Sequence, residues 1–203
     1  HGALLTEMPI PRKTPKNNPS EATGLVGPVA EDTPRGGVGL REGNQECPSR
    51  EVILTANAGM DESNVPKGSA VGWPEDPVDS VRRLRKTLEE ATNPQLAIIL
   101  SDSCCRPFRR GVTAIALAVS GINPFEDQWG KPDLFGKPLR ITTEATADQL
   151  AVAANLLMGN AGQSIPAVIV RNHGLALSRV EGWVEGIDRK DDLFHDVLHG
   201  FPG

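Results

Sequence analysis

The segment Asp76-Pro77-Val78-Asp79 is the clearest structural signal in the sequence, because it has every feature of an α-helix start. Asp76 can cap the free amides of a first turn, Pro77 suits the first helical position, and Asp79 favours the positive end of the helix dipole. Asn93 and Pro94 end the pattern. Between these limits apolar side chains recur at helical spacing, at Val78, Val81, Leu84 and Leu88.

Apolar runs on both sides of this helix predict strands. Residues 51–56 and the short buried-type run 96–100 each read as a strand, and GVTAIALAVSGI at 111–122 predicts a second strand or hairpin arm. A later patterned helix ends at Gly159, and a strand follows Pro166. The order strand, helix, strand, strand, helix, strand predicts an α+β fold with mixed sheets and packed helices.

Residues 1–50 differ from the rest in composition. They contain seven Pro and seven Gly, a share typical of disordered segments, and no helical or strand period persists through them. We expect residues 1–50 to be a disordered tail, an insertion or a stretch translated in the wrong frame. Residues 51–203 are then the folded domain.

The charge and cysteine content exclude several classes of protein. The net charge is −5, and all of the acidic excess lies after residue 50. This argues against nucleic-acid binding but is compatible with a metal site. No apolar run approaches the roughly 18 residues of a membrane span, and no signal peptide is visible. The three Cys show no Cys-x-x-Cys spacing, so a reduced cytoplasmic protein is expected.

The stretch ANAGMDESNV at 56–65 is the first candidate site. Asp61 and Asn64 lie three residues apart, just after a predicted strand, and a carboxylate with a nearby amide suits a hard cation that holds phosphate oxygens. A plain Asx-turn explains the same pattern. The spacing alone leaves both interpretations open.

A second candidate site follows the strand at 96–100. Asp102 and Ser103 stand where loops beyond strand ends often carry ligands, although an Asp that caps a turn is equally ordinary. Arg106 and Arg109 come next and could clamp a phosphate or carboxylate group with their guanidinium forks. A solvated basic loop is the simpler alternative.

The segment MGNAGQSIP at 158–166 is a helix exit that contains glycine. Its backbone amides could approach a phosphate, but it lacks the Gly-Lys-Ser/Thr of a Walker loop. Asp148 lies in the first turn of the preceding helix, where a negative charge is favoured for structural reasons alone.

The remaining polar groups have simple structural explanations. Cys104 and Cys105 are expected to be small buried hydrophobes. His195 and His199 are four residues apart, but the spacing lacks the Glu of His-Glu-x-x-His and a third zinc ligand, so a surface tail helix is expected. The segment 192–194 predicts an anchor that docks its Leu and Phe on the core.

Five segments, taken in order and at roughly this spacing, resemble the coenzyme F(420)-0:L-glutamate ligase (gamma-glutamyl ligase) family. They are ANAGMDESNV, SDSCCRPFRRG, DLFGKPL, TADQLAVAANLLMG and IPAVIV. The resemblance runs from about residue 49 to 194. The family's N-terminal half is not recognisable in residues 1–50.

The resemblance implies an enzyme that adds L-glutamate through γ-linkages to a phospho-deazaflavin acceptor, coenzyme F(420)-0. It implies GTP as co-substrate, a divalent metal (Mg or Mn) and an acyl-phosphate intermediate. The family fold is α+β, in an intertwined homodimer with active sites near the interface. We therefore expect a GTP-binding, metal-binding ligase of cofactor biosynthesis.

The resemblance also implies the site residues. The family motif makes Asp61 a metal ligand and Asn64 a nucleotide contact, and the Asp-Ser before Arg-Pro makes Asp102 and Ser103 metal ligands. The segment after the late helix surrounds the nucleotide, and its Asn160 stands where a metal-contacting Gln is usual. This segment consists of Met158, Gly159, Asn160, Ala161, Gly162, Gln163, Ser164 and Ile165. No catalytic side chain is assigned, because positioning and charge neutralisation dominate phosphoryl transfer.

The sequence departs from the family pattern at several positions. Cys104 and Cys105 replace an aromatic residue and a Gly, Gln149 replaces a carboxylate, and Leu117 replaces a Gly. The family's N-terminal half supplies further nucleotide contacts, including a Lys, and residues 1–50 do not resemble that half. Two alternatives therefore stay open, a catalytically inactive binding or assembly module of the same fold and a ligase for a different acceptor.

Overall fold

A computed structural model describes the chain in full at residues 61, 63–67, 69–92, 95–106, 108–188 and 191–194. Four further strands, at 2–7, 26–28, 38–42 and 52–56, are described by their backbone pairing alone. Two helices are present, α1 (Pro77–Thr92) and α2 (Thr146–Met158). The strands are β1 (Gly2–Glu7), β2 (Val26–Pro28), β3 (Val38–Glu42), β4 (Val52–Ala56), β5 (Ser69–Val71), β6 (Leu96–Arg106), β7 (Arg109–Ile122), β8 (Glu126–Asp127), β9 (Thr143–Glu144), β10 (Ala167–Arg171) and β11 (Leu177–Trp183).

A five-stranded mixed sheet in the order β10-β1-β6-β7-β11 forms the centre of the fold. β1 pairs antiparallel with β10 and parallel with β6. β6 and β7 form an antiparallel hairpin, and β11 pairs antiparallel with β7. Three two-stranded sheets, β2-β5, β3-β4 and β8-β9, lie outside this sheet.

The two helices cover opposite faces of the central sheet, because successive strand residues point to opposite sides. Ile98 and Leu100 of β6 share a buried cluster with Val81 of α1 and with Trp73. On the other face, Ala97 and Ile99 of β6 pack with α2 in a second cluster. The α2 members of that cluster are Ala147, Leu150, Ala154 and Met158. The core is therefore split into two aliphatic layers by the sheet.

A β-bulge at Leu117 interrupts the β6-β7 ladder. Leu100 pairs with Ala118 and Ser101 pairs with Ala116, so Leu117 is the extra residue. Its side chain is fully buried in the α1 layer, and its carbonyl accepts a hydrogen bond from Val184 N at 2.9 Å. A leucine at this position fills the core, which explains how the fold accommodates it where the family pattern has glycine.

The patterned elements of the sequence are confirmed. The α+β class is confirmed by the mixed sheets with two packed helices. α1 begins at Pro77, and Asp76 caps it by accepting a hydrogen bond from Asp79 N at 2.8 Å. α2 ends at Met158, where Gly159 has a positive φ of 68° and donates its N–H to the Asn155 carbonyl at 2.8 Å. Within the described part of the chain, neither helix is long and apolar enough to cross a membrane.

Two predictions differ from the structure. β6 does not end at residue 100 but continues to Arg106, because residues 109–116 of β7 supply partners for Ser101 to Cys104 and for Arg106. Residues 1–50, expected to lack secondary structure, contain β1, β2 and β3, and β1 lies inside the central sheet. β1 and β2 pair with distant segments, whereas β3 pairs with the next strand, β4. Local Pro and Gly counts do not report such pairings. The rest of residues 1–50 lies outside the described residues.

An ion-pair network ties α1 to the strands β7 and β11. Glu181 accepts hydrogen bonds from Arg82 Nε at 2.9 Å and from the buried Ser120 hydroxyl at 2.8 Å. Arg85 lies 3.9 Å from the same carboxylate and bonds Glu89 at 3.2 Å. The hydrogen bonds from Arg82 and Ser120 hold the pKa of Glu181 below its ordinary value.

We predict that Glu181→Gln removes a pH-dependent part of the stability. The folded-state pKa of Glu181 is depressed, so its stabilisation is present above the ordinary value of 4.5 and is lost as pH falls through the folded-state value. At pH 7 the variant should melt about 2–4 °C lower, since the exposed Arg82 contributes little and the Ser120 contact is partly retained. Thermal unfolding of the variant and of the unchanged chain, at pH 7 and below pH 4.5, measures the loss. The difference between their melting temperatures should shrink at the lower pH.

The exposed Glu185 supplies the matched control. Glu185→Gln should melt like the unchanged chain at both pH values. An undiminished gap between Glu181→Gln and the unchanged chain in acid would contradict the assignment of the pH dependence to Glu181.

Candidate functional site

Asp102 lies within β6, not in a loop beyond it, and its carboxylate is held by two donors. The Trp73 indole N–H donates to Oδ2 at 2.6 Å, and the Ser103 backbone N–H donates to Oδ1 at 2.7 Å. Burial raises the pKa of Asp102, both hydrogen bonds oppose the rise, and the charge of Asp61 adds to it. The carboxylate is therefore half-buried and oriented by its two donors.

Asp61 reaches this region from the loop before β5. Its backbone forms an isolated bridge with Val71, with N–H···O bonds of 2.9 and 2.8 Å. Its carboxylate is exposed and accepts hydrogen bonds from Ser63 N at 2.7 Å and from the Ser63 hydroxyl at 2.6 Å. The Asx-turn is thus present. It does not exclude a ligand role, because each carboxylate oxygen has two lone pairs.

The fold links Asp61 to Asp102 although 40 residues separate them. Asp61 bridges Val71, two residues before the Trp73 that donates to Asp102, and the charge of Asp61 is a small contribution to the raised pKa of Asp102. Two carboxylates in one region, one of them half-buried, are donors that suit a hard divalent cation, since a cation offsets their repulsion. Among the residues that the structure describes, no group of three or more His, Cys, Asp and Glu forms a metal cluster. A cation here would need further oxygen ligands from hydroxyls, amides, substrate or water.

Asn64 joins the Asp61 loop to the segment after α2. Its φ is +56°, a left-handed conformation that Asn tolerates better than most residues. Its side-chain Nδ2 donates to the Ala161 carbonyl at 3.4 Å, across 97 positions of sequence. The predicted nucleotide contact Asn64 and the predicted nucleotide segment 158–165 therefore lie side by side.

The segment 158–165 is exposed except at its start. Met158 is 3% exposed and belongs to the α2 core layer, so its side chain does not face solvent. Gln163 folds over Gly159 and would come within 2.4–2.7 Å of any added Cβ there. The same side chain accepts the Ala161 N–H at 2.8 Å. Asn160 Oδ1 accepts a hydrogen bond from Asn155 at 3.2 Å.

Arg106 and Arg109 face each other at the end of the β6-β7 hairpin and both are exposed. Phe108 between them has a φ of +56°, which places the tight turn there. A clamp for phosphate or carboxylate by these arginines stays a prediction. Ser103 pairs with Ala114 in the hairpin, and its proposed metal contact also stays a prediction.

Cys104 is buried, as predicted, whereas Cys105 is exposed, so the expectation of two buried cysteines is wrong for the second. Burial and then the charges of Asp148 and Asp102 raise the pKa of the Cys104 thiol to about 11, which makes it unreactive at neutral pH. Cys105 lies in β6 and is not among the described residues with positive φ. Its replacement of a family Gly therefore strains no backbone.

Asp148 has a role that its position in the first helical turn did not indicate. Its carboxylate accepts the Ala116 backbone N–H at 2.8 Å, next to the bulge at Leu117. Burial raises the pKa of Asp148 and this hydrogen bond opposes the rise. Asp148 thus satisfies a strand amide beside the disrupted ladder and ties α2 to β7.

The predictions for the C-terminal segment are wrong for one pair of residues and untested for another. Leu193 is 92% exposed and Phe194 is 53% exposed, so the prediction that they anchor the tail on the core is wrong. Exposed Leu and Phe are common, because a folded chain has too little polar surface to cover it. His195 and His199 lie outside the described residues.

Sequence reasoning missed Trp73, the hydrogen-bond partner of Asp102. A signal existed, because a buried Trp usually finds an acceptor for its indole N–H. The acceptor itself, 29 positions away, could not be read from the sequence.

Comparisons with known proteins show the family of this chain. Residues 4–172 match the protein family described as F420-0:Gamma-glutamyl ligase. A coenzyme F420:L-glutamate ligase from Methanothermobacter thermautotrophicus is 43% identical over 152 residues, 75% of this chain and 60% of that protein. One from Methanocaldococcus jannaschii is 40% identical over 73% of this chain and 59% of that protein.

A third relative, from Methanopyrus kandleri, is 45% identical over 66% of this chain and 53% of that protein. The chain therefore spans about 53–60% of the length of these curated relatives. The predicted family resemblance is confirmed. The match begins at residue 4, farther toward the N-terminus than the motifs indicated.

We predict that Asp61→Asn lowers the pKa of Asp102. Burial is the main cause of the raised value and will remain, but the repulsion from Asp61 disappears with its charge. Carbon-13 NMR titration of the labelled Asp102 carboxyl measures the change. Asp79→Asn is the control, because Asp79 pairs with Arg82 and Arg83 on α1, and it should leave the Asp102 titration where it was.

Proposed function

Because this chain belongs to the F420-0:gamma-glutamyl ligase family, we propose that it joins L-glutamate through a γ-linkage to coenzyme F(420)-0. The curated relatives are named coenzyme F420:L-glutamate ligases, and the chain spans only part of their length. We further propose that it adopts the family's gamma-glutamyl ligase fold. A cytoplasmic location and the absence of nucleic-acid and membrane partners stay predictions.

The link between Asp61 and Asp102 is the observation that supports this proposal most. Asp61 bridges Val71 beside Trp73, Trp73 holds the half-buried Asp102, and the charge of Asp61 adds to the raised pKa of Asp102. Such a pair of charges is unfavourable unless a cation offsets it. Functional sites are where such unfavourable charge pairs are retained.

We propose that Mg²⁺ or Mn²⁺ would be held by Asp61 and Asp102, with Ser103 and Asn160 as further oxygen donors. The bound cation would supply charge neutralisation for the phosphates of GTP. Asn64 would contact the nucleotide, together with the segment 158–165 that lies against it. Arg106 and Arg109, exposed at the hairpin end, would hold an anionic group of the substrate.

The proposed reaction has two steps. A carboxylate oxygen of the acceptor attacks the γ-phosphorus of GTP, the bond to the β-phosphate oxygen breaks, and GDP leaves. The amine of L-glutamate then attacks the resulting acyl phosphate, an amide forms, and phosphate and a proton leave. The substrate carboxylate is its own nucleophile, so the protein has to orient the reactants and offset charge, and no side chain needs to act as nucleophile.

A catalytically inactive binding or assembly module is the second candidate function. Its support is the departure from the family pattern at Cys105, which stands where the family has a Gly. Such a module would keep metal and nucleotide binding without turnover. A ligase for a different acceptor would bind both and use another carboxylate substrate.

We also propose a homodimer. The segment 128–142 forms a hydrogen-bonded loop, in which Asp133 Oδ1 accepts the N–H groups of Phe135 and Lys137. At its tip Leu134 is 99% exposed and Phe135 is 95% exposed, and Ile141 nearby is 92% exposed. Neighbouring exposed apolar side chains on an ordered loop are typical of an interaction surface.

The first test is a calorimetric titration of the chain with Mn²⁺ and GDP. We expect GDP binding that requires Mn²⁺, and we expect Asp61→Ala to weaken Mn²⁺ binding about tenfold or more, because one of two carboxylate ligands is lost. Glu185→Ala, a change at an exposed carboxylate, is the matched control and should bind like the unchanged chain. Absence of Mn²⁺ and GDP binding in the unchanged chain would refute the proposed function.

Turnover separates the remaining candidates. Incubation with GTP, L-glutamate, Mn²⁺ and coenzyme F(420)-0, followed by mass spectrometry, should show an acceptor heavier by one or more glutamyl residues. Binding without any product or GTP hydrolysis would favour the inactive module. A GTP-dependent product that forms with a different carboxylate substrate, and not with coenzyme F(420)-0, would favour the ligase for a different acceptor.

Light scattering after size-exclusion chromatography tests the homodimer. The unchanged chain of 21.7 kDa should elute at twice that mass. Replacing both Leu134 and Phe135 with Asp should weaken dimerisation about tenfold or more, since apolar anchors dominate interfaces. Leu193→Asp, at a comparably exposed apolar site, should not. A monomeric unchanged chain would overturn the proposal.

A further inference from the structure

Trp73 is a rigid side chain at the edge of the candidate site. It follows β5, is only 7% exposed, and shares the α1 core layer with Ile98 and Leu100. The Trp183 ring packs against it with centroids 6.2 Å apart and planes tilted by 58°. An indole ring has two side-chain torsions, and packing on this scale leaves it little freedom to turn.

The polar end of this fixed ring meets Asp102. Its Nε1–H donates to Oδ2 at 2.6 Å, while the Ser103 N–H donates to Oδ1 at 2.7 Å. One donor on each oxygen fixes both the plane and the rotation of the carboxylate. Because each oxygen has two lone pairs, both keep the capacity to accept a second partner.

We propose that Trp73 is a positioning residue that orients the Asp102 carboxylate toward a divalent cation. This inference rests on the proposed function, in which Asp102 is a metal ligand. Groups that hydrogen-bond a metal-ligating carboxylate commonly change metal affinity because they fix ligand direction. The indole N–H is suited to this role, since it donates and cannot accept, and so does not compete for the cation.

The surroundings of Trp73 favour positioning over packing alone. The ring fills part of the apolar layer with Leu117 and Ala118, yet it turns its one polar atom to the half-buried carboxylate of the site. A carboxylate that is held and partly dehydrated loses less freedom on binding a cation than a mobile one.

The decisive comparison is between Trp73→Phe and Trp183→Phe. Both changes replace an indole with a phenyl ring in the same ring pair. Of the two, only Trp73→Phe removes the donor to Asp102. We expect Mn²⁺ affinity, measured by electron paramagnetic resonance of free Mn²⁺, to fall about tenfold in Trp73→Phe and to change less than twofold in Trp183→Phe. Thermal melting of both variants shows whether each is folded.

A second measurement leaves Trp73 in place. The chain contains three tryptophans, so nitrogen-15 labelling gives three indole resonances, which Trp129→Phe and Trp183→Phe assign. Titration with Mg²⁺, which does not broaden signals, should shift the Trp73 indole N–H resonance most, since its acceptor is the ligating carboxylate. Asp102→Asn should abolish this Mg²⁺-dependent shift.

The outcomes separate this inference from the proposed function. Equal Mn²⁺ affinity in folded Trp73→Phe and the unchanged chain would overturn the inference alone, as would a Trp73 resonance that does not respond to Mg²⁺. Equal losses in both Trp→Phe variants would also overturn it, since packing would then explain them. Failure of the unchanged chain to bind either ion would refute the proposed function and the inference with it.

Discussion

The antiparallel pairing of β6 with β7 is the interaction on which the rest of the structure depends. It runs from Ile98 opposite Ser120 to Arg106 opposite Arg109, and it sits in the middle of the five-stranded sheet. Both core layers are built on its two faces. The same ladder that creates the core carries Asp102 beyond the apolar half of β6 to the region of Asp61.

The bulge at Leu117 links packing to the site. It places a large side chain in the α1 layer and leaves a strand amide to be satisfied, which Asp148 does. At the bulge, the Leu117 carbonyl also accepts a hydrogen bond from the N–H of Val184, which follows β11. Irregularities of this kind are common next to functional sites because they redirect side chains along a strand. Here the strand past the bulge is the one opposite Asp102 and Cys104.

Charge is arranged in opposite ways around Glu181 and around Asp102. Near β11, Glu181 has Arg82 and Arg85 around it, and its pKa is lowered. Near β5, Asp102 has an indole, one amide and another carboxylate, and its pKa is raised. The first arrangement satisfies a charge within the fold. The second leaves a charge that an external cation would satisfy, which is the physical difference between a structural ion pair and a candidate binding site.

The local elements could be predicted because each is encoded over a few residues. The cap at Asp76, the stop at Gly159 and the apolar runs 96–100 and 111–122 place both helices and the central hairpin. The site residues were named through an ordered set of motifs rather than through spacing. On spacing alone an Asx-turn explains Asp61, and the turn is present.

The pairings between distant segments could not be predicted. β1 in the central sheet, β11 at its edge and the contact of Asn64 with Ala161 each join positions far apart in sequence. The extension of β6 to Arg106 was missed for the same reason, since its polar second half is a strand only because β7 pairs with it.

The sequence by itself therefore determined the helices, the apolar strands and the family, since these are local patterns or an ordered series of them. The tertiary structure alone decided that Asp61 bridges Val71, that Asp148 holds the Ala116 amide, and that Trp73 holds Asp102. The reason is physical. A hydrogen bond or a charge interaction depends on distance in space, and in this protein that distance is set by the register of β6 on β7 and by the loops that fold back onto it.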